Sequence, residues 1–484
     1  MSPQDLATVD QWLLLLPESP ADSVWEALPE GARLKQAAAR RAADSPFALR
    51  ARLDNERHTG VIAGQVADGD DAFTQLTLGR KLVDAIRDDA AGTLAISVVG
   101  FDSATSAAIA ERILAAALAA GFAMPAYKSK PAAPVLNEIR LLGGDTAIDT
   151  ARIVAEAAGN NLARWLTTMP PNKLNATNYA EIAEAVAREH GWDYHRYGIT
   201  DLAELNAGAF LAVAQGNADD SASIVRLRYR PDDANARADV SLVGKGIIFD
   251  TGGTNLKPFA SMLNMHGDMQ GSAVALGTLL AISRMKLPLA VDCWLAITEN
   301  RTGPDAYKSQ DVVTAANGKT IQTIHTDAEG RMALADTLVL ASREKPRMII
   351  DYATLTGTCI SALTTHYSGI FTNRSDWHPR LKRAGRKSGE RVWPFPIGSE
   401  FLKLLKSDTA DIMQCSVDSA GDHILAASFM SEFVEEDTPW VHIDLSAGHN
   451  DEGLGHVSTK ATGFGVRYTL GLLMDENILE PAAR

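Results

Sequence analysis

Cysteine is the scarcest of the chemistry-bearing residues: Cys293, Cys359 and Cys415 are the only three in a chain of 484. Their odd number and wide spacing fit neither a disulfide framework nor a zinc-thiolate cluster, and they point to a reducing, cytosolic setting. A basic leader is also missing, because Asp5 and Asp10 precede the first apolar run, Trp12 to Leu16, and Pro17 ends it. That pattern predicts no signal peptide. Long apolar runs are missing too. The longest nearly continuous one, 113–126, contains Gly121 and Pro125 and falls short of the roughly 20 residues a membrane helix needs. A soluble protein with no membrane partner is expected. Positive charge is in deficit, and a net charge of −14 repels phosphate backbones and anionic bilayers, which argues against nucleic acid as the main ligand.

What remains is an ordinary globular composition, 46% hydrophobic and 22% charged, in a chain long enough for two or three domains. Residues 1–150 read as a smaller N-terminal α/β domain, with a buried strand at 94–100, a helix at 105–120 and a short strand at 138–142. It shows no catalytic constellation. Helical spacing over 146–166, stopped by Met169-Pro170-Pro171, makes 151–170 a connecting helix. In the larger domain, 171–484, strand-like segments at 224–229, 240–243, 289–297 and 348–352 alternate with helix-like ones at 177–190, 271–285 and 332–343. The alternation predicts an α/β fold with a mixed, largely parallel sheet flanked by helices.

Two polar clusters stand out. In His325-Thr326-Asp327-Ala328-Glu329-Gly330-Arg331, an extended or looped backbone would point Asp327, Glu329 and Arg331 the same way. The same residues also describe an acidic helix start. The stretch from Gly244 to Lys257 sets Lys245, Asp250 and Lys257 around a short apolar strand, and Asp268 follows just before the next helix. Gly252-Gly253 lets the chain turn tightly beside Asp250. Read separately, these are a turn, solvated lysines and an N-cap, and the spacing of a phosphate-cradling loop is absent. Read together, Asp250, Asp268, Asp327 and Glu329 are carboxylates that share a cavity only if cations offset them. Hard oxygen ligands with few histidines suit two divalent ions in a hydrolytic centre, zinc or manganese, with magnesium and cobalt as further options. A lysine beside such ions can ligate as the neutral amine, while another stays protonated to stabilise an oxyanion.

These clusters resemble the leucine aminopeptidase family of dinuclear metallopeptidases. The resemblance runs over about 160–473 and takes in Met169-Pro170-Pro171-Asn172, Thr298-Glu299-Asn300, Ala353-Thr354-Leu355-Thr356-Gly357, Ala420-Gly421-Asp422 and Ala461-Thr462-Gly463-Phe464-Gly465. It implies that Lys245, Asp250, Asp268 and Glu329 hold a readily exchanged metal and Asp250, Asp327 and Glu329 a tighter one. By the same resemblance Lys257 hydrogen-bonds the substrate carbonyl, and Arg331 holds a bicarbonate ion that moves the proton of the attacking water. The implied substrates are short peptides or aminoacyl amides, bound through their free amine, and the implied assembly is a homohexamer in the cytoplasm. The resemblance also places Met265, Thr354, Leu355, Gly357, Ala447 and Asn450 at substrate-pocket positions of the family. Asn450, where the family often has an apolar side chain, either adds a buried polar group that shifts preference or faces water. His325 replaces the usual asparagine and Thr251 the usual serine; His325 either supports a ligand carboxylate or only the strand end. Because some relatives bind DNA, a DNA-binding or structural homologue with secondary peptidase activity is the alternative, opposed by the charge balance. A dinuclear phosphoesterase uses similar ligands but leaves the lysine pair unexplained.

Overall fold

The computed structural model describes residues 2–40, 47–87, 92–130, 136–143 and 148–480. The chain divides into two compact units. The first comprises Met1–Ala157 with the short segments Arg386–Gly389 and Asp451–Lys460, and the second comprises Ala158–Gly385, Glu390–Asn450 and Ala461–Arg484.

The first unit carries a five-stranded sheet of β1 (Gln11–Pro17), β2 (Leu49–Arg52), β3 (Gly60–Val66), β4 (Thr93–Val98) and β5 (Glu138–Leu141), in the order β2-β3-β1-β4-β5. Only the β2–β3 pair is antiparallel. β1 lies at the centre and is apolar on both sides. Leu13 and Leu15 pack with Leu82, Val83 and Ile113 from α1 (Ala72–Arg87) and α2 (Ser103–Ala120), while Trp12, Leu14 and Leu16 pack with Trp25, Leu34 and Leu53. α2 corrects one expectation. It is 18 residues long and apolar enough to cross a membrane by length and composition, yet half of it is buried inside the fold. Ile109, Ile113 and Ala117 sit in the same cluster as the strands, which is how a core helix of an α/β layer behaves.

α3 (Thr150–Thr168) spans the division between the units, which falls at Ala157/Ala158. The expected helix start at 146 lies outside the described residues. The second unit holds an eight-stranded mixed sheet of β6 (Asp193–Tyr197), β7 (Ser223–Tyr229), β8 (Val240–Asp250), β9 (Val291–Asn300), β10 (Met348–Ala353), β11 (Ser368–Thr372), β12 (Val392–Pro394) and β13 (Trp440–Asp444). Their order is β12-β11-β13-β10-β8-β9-β7-β6. The middle strands β13, β10, β8 and β9 are parallel, and antiparallel pairs flank them. α4 (Gln270–Arg284) and α5 (Glu329–Arg343) connect parallel strands and are almost wholly buried. Ligand sites of such sheets form at the carboxyl ends of parallel strands, and here β8 ends at Asp250, β9 at Asn300 and β10 just before Thr354.

Candidate metal centre

β8 is the element that differs most from its sequence reading, running on to Asp250 instead of stopping at 243. Gly244, Lys245 and Gly246 interrupt the apolar pattern, but pairing with β9 continues through them. Between Ile247 and Asp250 the register shifts, so that three steps on β8 oppose two on β9. Side chains alternate along a strand, and Lys245 and Asp250, an odd number of positions apart, would face opposite sides of a regular one. The bulge adds the residue that brings them to the same side. Asn300, opposite Asp250 in the ladder, is thereby placed to donate its Nδ2 to Asp250 Oδ1 at 2.8 Å and to Glu329 Oε2 at 3.3 Å.

The other half of the site comes from the turn before α5. Thr326 stitches it to the β8 loop: its Oγ1 donates to the Gly252 carbonyl at 2.6 Å and accepts from Asn255 N at 2.8 Å, while Asn255 Oδ1 accepts from Thr326 N at 2.9 Å. Gly252 and Gly253 take positive φ, +86° and +63°, the left-handed region that favours glycine. His325 is exposed, and its Nδ1 accepts from Asp327 N at 3.2 Å. It therefore shapes the loop that presents Asp327, and no contact to a ligand carboxylate is seen.

α5 starts at Glu329, so the helix-start reading holds for that residue, and a place at a helix start does not exclude a place in the site. The extended-wall reading fails for Arg331. Two helical steps turn a side chain by about 200°, and Glu329 points to Lys245 while Arg331 points to Asp422. A Cβ on Gly330, between them, would lie 2.6 Å from Lys245 Cε, so a side chain there would push the lysine from its place between Asp268 and Glu329.

Around this frame the sequence-predicted residues converge. Lys245 Nζ lies 2.7 Å from Asp268 Oδ2 and 2.9 Å from Glu329 Oε1, and donates to the Thr354 carbonyl at 3.1 Å. Lys257 Nζ lies 2.8 Å from Asp250 Oδ2 and also pairs with Asp327 Oδ1. One oxygen each of Asp250, Asp327 and Glu329 fall within 4.8 Å of one another. Asp268 is not the helix N-cap, which is Met269; its Oδ1 instead accepts from Thr354 Oγ1 at 2.7 Å. The Lys245 and Glu329 side chains are 4% and 1% exposed, against 14% and 28% for Lys257 and Asp327. The cage is sealed on the first pair's side and opens on the second's.

Electrostatics show a shortage of positive charge. Burial first, and the Asp250 charge second, push Glu329 up to about 8. Burial, partly offset by Lys245, pushes Asp268 up to about 6, and Asp327 is raised by burial and by Asp250. Burial works against both lysine ammoniums, but the surrounding carboxylates outweigh it and hold them charged. Asp268 Oδ2 and Asp327 Oδ1 are buried oxygens that accept no aligned hydrogen bond among the described residues, though each lies against an ammonium. Crowded carboxylates, two of them with oxygens that accept no aligned hydrogen bond among the described residues, are a donor set that fits hard divalent metal.

Comparison with known proteins decides the lineage. A model described as the cytosol aminopeptidase family, catalytic domain, matches residues 161–470. The chain belongs to the cytosol aminopeptidase family. It is 37% identical over 371 residues to a probable cytosol aminopeptidase of Aquifex aeolicus (strain VF5), spanning 76% of this chain and 74% of the relative. With another from Solibacter usitatus (strain Ellin6076) it shares 39% over 341 residues, 69% and 70% of the two chains. Its fold is similar to that of a mutant of tomato leucine aminopeptidase, with a TM-score of 0.85 at 25% identity over 96% of this chain and 94% of that one. It is similar as well to the bottromycin maturation enzyme BotP in complex with Mn, at 0.83 and 29% over 97% and 100%. As a member of the cytosol aminopeptidase family the chain is a metallo-aminopeptidase, a hydrolase of peptide bonds.

The remaining expected positions are less tightly grouped. Met265 is half-buried in the turn before Asp268, whose N–H reaches its carbonyl at 3.4 Å. Leu355 packs against the core, and its N–H donates to Asp444 Oδ1 at 3.2 Å. Gly357 is exposed at the start of a short helix, and Ala447 is fully buried. Asn450 does not face water. It is 5% exposed, and its Nδ2 donates to Thr365 Oγ1 at 3.0 Å and to the Thr365 carbonyl at 3.2 Å. Sequence reasoning gave no role to Asn300, Gln414 or Asp422. Gln414 Nε2 donates to the Ala328 carbonyl and its Oε1 accepts from Ile324 and His325 N–H, bracing the turn ahead of α5. Only pairing between distant segments reveals these three, although Asn300 and Asp422 lie in stretches that carry the family resemblance.

Proposed function

We propose that the chain removes N-terminal residues from short peptides and aminoacyl amides, using two divalent ions held by Lys245, Asp250, Asp268, Asp327 and Glu329. The supporting observation is the cage itself, with four carboxylates crowded together and two lysines lodged among them. Asp250 and Glu329 would serve both ions, because each directs one oxygen to a lysine, Lys257 and Lys245 respectively, and the other to Asn300 between them. Lys245, an ammonium while it faces only the carboxylates, would give up its proton to join the ligands when the ions are bound. When bound, the ions would supply Lewis acidity for the scissile carbonyl and would lower the pKa of the attacking water. Lys257, on the open side, donates to the carbonyl oxygen as its charge grows. Manganese and zinc are the proposed metals, the former supported by the neighbour solved in complex with Mn. The catalytic chemistry is assigned to 171–484, with a cytoplasmic homohexamer as the working form. Bicarbonate stays outside this reading, because Asp422 already occupies both terminal nitrogens of Arg331.

The test is release of amine from a panel of aminoacyl anilides by chelated and metal-loaded protein. Turnover that appears only on loading with manganese or zinc supports the reading, and no turnover on any substrate at saturating metal defeats it.

Metal affinity carries a second expectation. Glu329 must lose its proton before it ligates, so binding should tighten by up to about tenfold per pH unit between pH 6 and 8 for each proton displaced. The metal-free protein should behave oppositely. A carboxyl raised on folding gives stability that is complete below the ordinary carboxylate range and lost as pH rises through about 8. Thermal midpoints of metal-free and loaded protein from pH 5.5 to 8.5 should therefore diverge, and parallel curves would contradict the assignment.

Asn450 is proposed to set the substrate pocket's polarity. Asn450→Leu should raise kcat/KM for leucyl over seryl anilides by about tenfold or more, the scale of one polar-to-apolar change in a pocket. An unchanged ratio would confine Asn450 to bonding Thr365.

A further inference from the structure

The geometry points to Asp422 as this chain's own occupant of the anion position at Arg331, so that turnover proceeds without bicarbonate; the inference deepens the aminopeptidase reading and rests on it. Arg331 is 2% exposed, and its Nη1 and Nη2 donate to Asp422 Oδ1 and Oδ2 at 3.0 and 2.7 Å. This is the two-pronged pairing in which a guanidinium matches a carboxylate, and bicarbonate offers the same pair of oxygens on one carbon. Nη1 also donates to the Gln414 carbonyl at 3.3 Å, and the buried Nε has no partner among the described residues. A free anion would have to evict Asp422 to gain the same face.

The fold makes eviction unfavourable. Gly421, at φ +67°, turns the chain so that α6 (Asp422–Ser431) begins with Asp422 as its first residue. The next residue is pinned by its N–H to Thr358 Oγ1 at 2.9 Å. The carboxylate is thus delivered by a helix start, where negative charge is favoured, and it is tethered, which gives it a high effective concentration against any dissolved competitor. Burial opposes its charge, but Arg331 outweighs this and keeps Asp422 below the usual carboxylate range. Its side chain is still 23% exposed, so the carboxylate is not sealed away behind the guanidinium. A buried guanidinium stripped of its carboxylate would be strongly destabilised, and a vacated position 422 should therefore capture a small anion. Asp422 acts through Arg331 and is a positioning residue.

Wild type, Asp422→Ala, which empties the position, and Asp422→Asn, which fills it without charge, are compared in carbon-dioxide-free buffer with added bicarbonate. Two readouts apply: turnover of the metal-loaded enzyme, and binding of ¹³C-labelled bicarbonate to metal-free protein followed by NMR. Wild type should show no labelled-ion binding and less than about a twofold response to bicarbonate, within the scatter of a group that contributes nothing. Asp422→Ala should lose about 10- to 100-fold, the scale for a group that acts through another, bind the ion, and recover most of that loss on its addition. Asp422→Asn should lose activity and stay unrescued. Labelled-ion binding to wild type, bicarbonate-stimulated wild-type turnover, or an Asp422→Ala enzyme that needs no anion would each overturn the proposal. If wild type hydrolysed no substrate, the aminopeptidase reading would fall while the NMR comparison still decided who occupies Arg331.

Discussion

Asp250→Asn is expected to empty the centre of metal and to lower turnover by more than about 10³-fold, beyond the 10- to 100-fold typical of groups that only support a ligand. Asp250 is the hub of the cage. Its Oδ1 accepts from Gly252 N and from Asn300 Nδ2, both at 2.8 Å, and its Oδ2 faces Lys257. Its charge also contributes to the raised carboxyls of Glu329, Asp268 and Asp327. Replacing the carboxylate with an amide removes the bridging oxygen shared by the two proposed ions and turns a donor towards Asn300, which is itself donating. Elemental analysis of the purified variant beside its turnover is the measurement. Two ions per chain with a loss below tenfold would show that Asp250 does not bridge.

Lys257→Ala should separate the two properties that Asp250→Asn removes together: turnover lower by about 10² to 10³, the loss of one oxyanion donor, with metal content close to wild type. The argument lies in position and charge. Lys257 sits on the open side of the cage, and Asp250 and Glu329 keep it an ammonium in spite of burial. It therefore retains a proton to offer on the more exposed side of the cage. Lys257→Met, which keeps most of the side-chain volume, should behave like the alanine variant if charge is what matters. A parallel fall of metal and turnover in both variants would make Lys257 a support for Asp250 and Asp327 instead.

The sequence exposed the chemistry of this site better than its geometry. Four acids and two lysines in short, unusual clusters can be counted without coordinates, and their mutual repulsion already asks for cations. The strands and helices of the larger unit were legible where apolar residues run unbroken, as in β10, α4 and α5. β8 was not, because Gly244, Lys245 and Gly246 read as a strand end and only pairing with β9 carries the strand past them. Arg331 was misdirected by assuming an extended wall where α5 had already begun. Its partner Asp422 lies 91 positions away, a separation over which one sequence holds no signal of contact. Asn450 was similarly open, since burial depends on Thr365 from another loop.

The bulge between Ile247 and Asp250 makes spacing a functional quantity in its own right. Every ligand could be kept and the centre still lost: inserting one residue into that short interval would put Asp250 out of phase with Lys245 and with Asn300, whereas deleting one would only remove the bulge and leave the two on the same face of a regular strand. The converse also holds, because a conservative exchange at 248 or 249 keeps the count and should leave the centre assembled. What that interval encodes is phase more than side-chain identity, and a scan that only substitutes residues would pass over it.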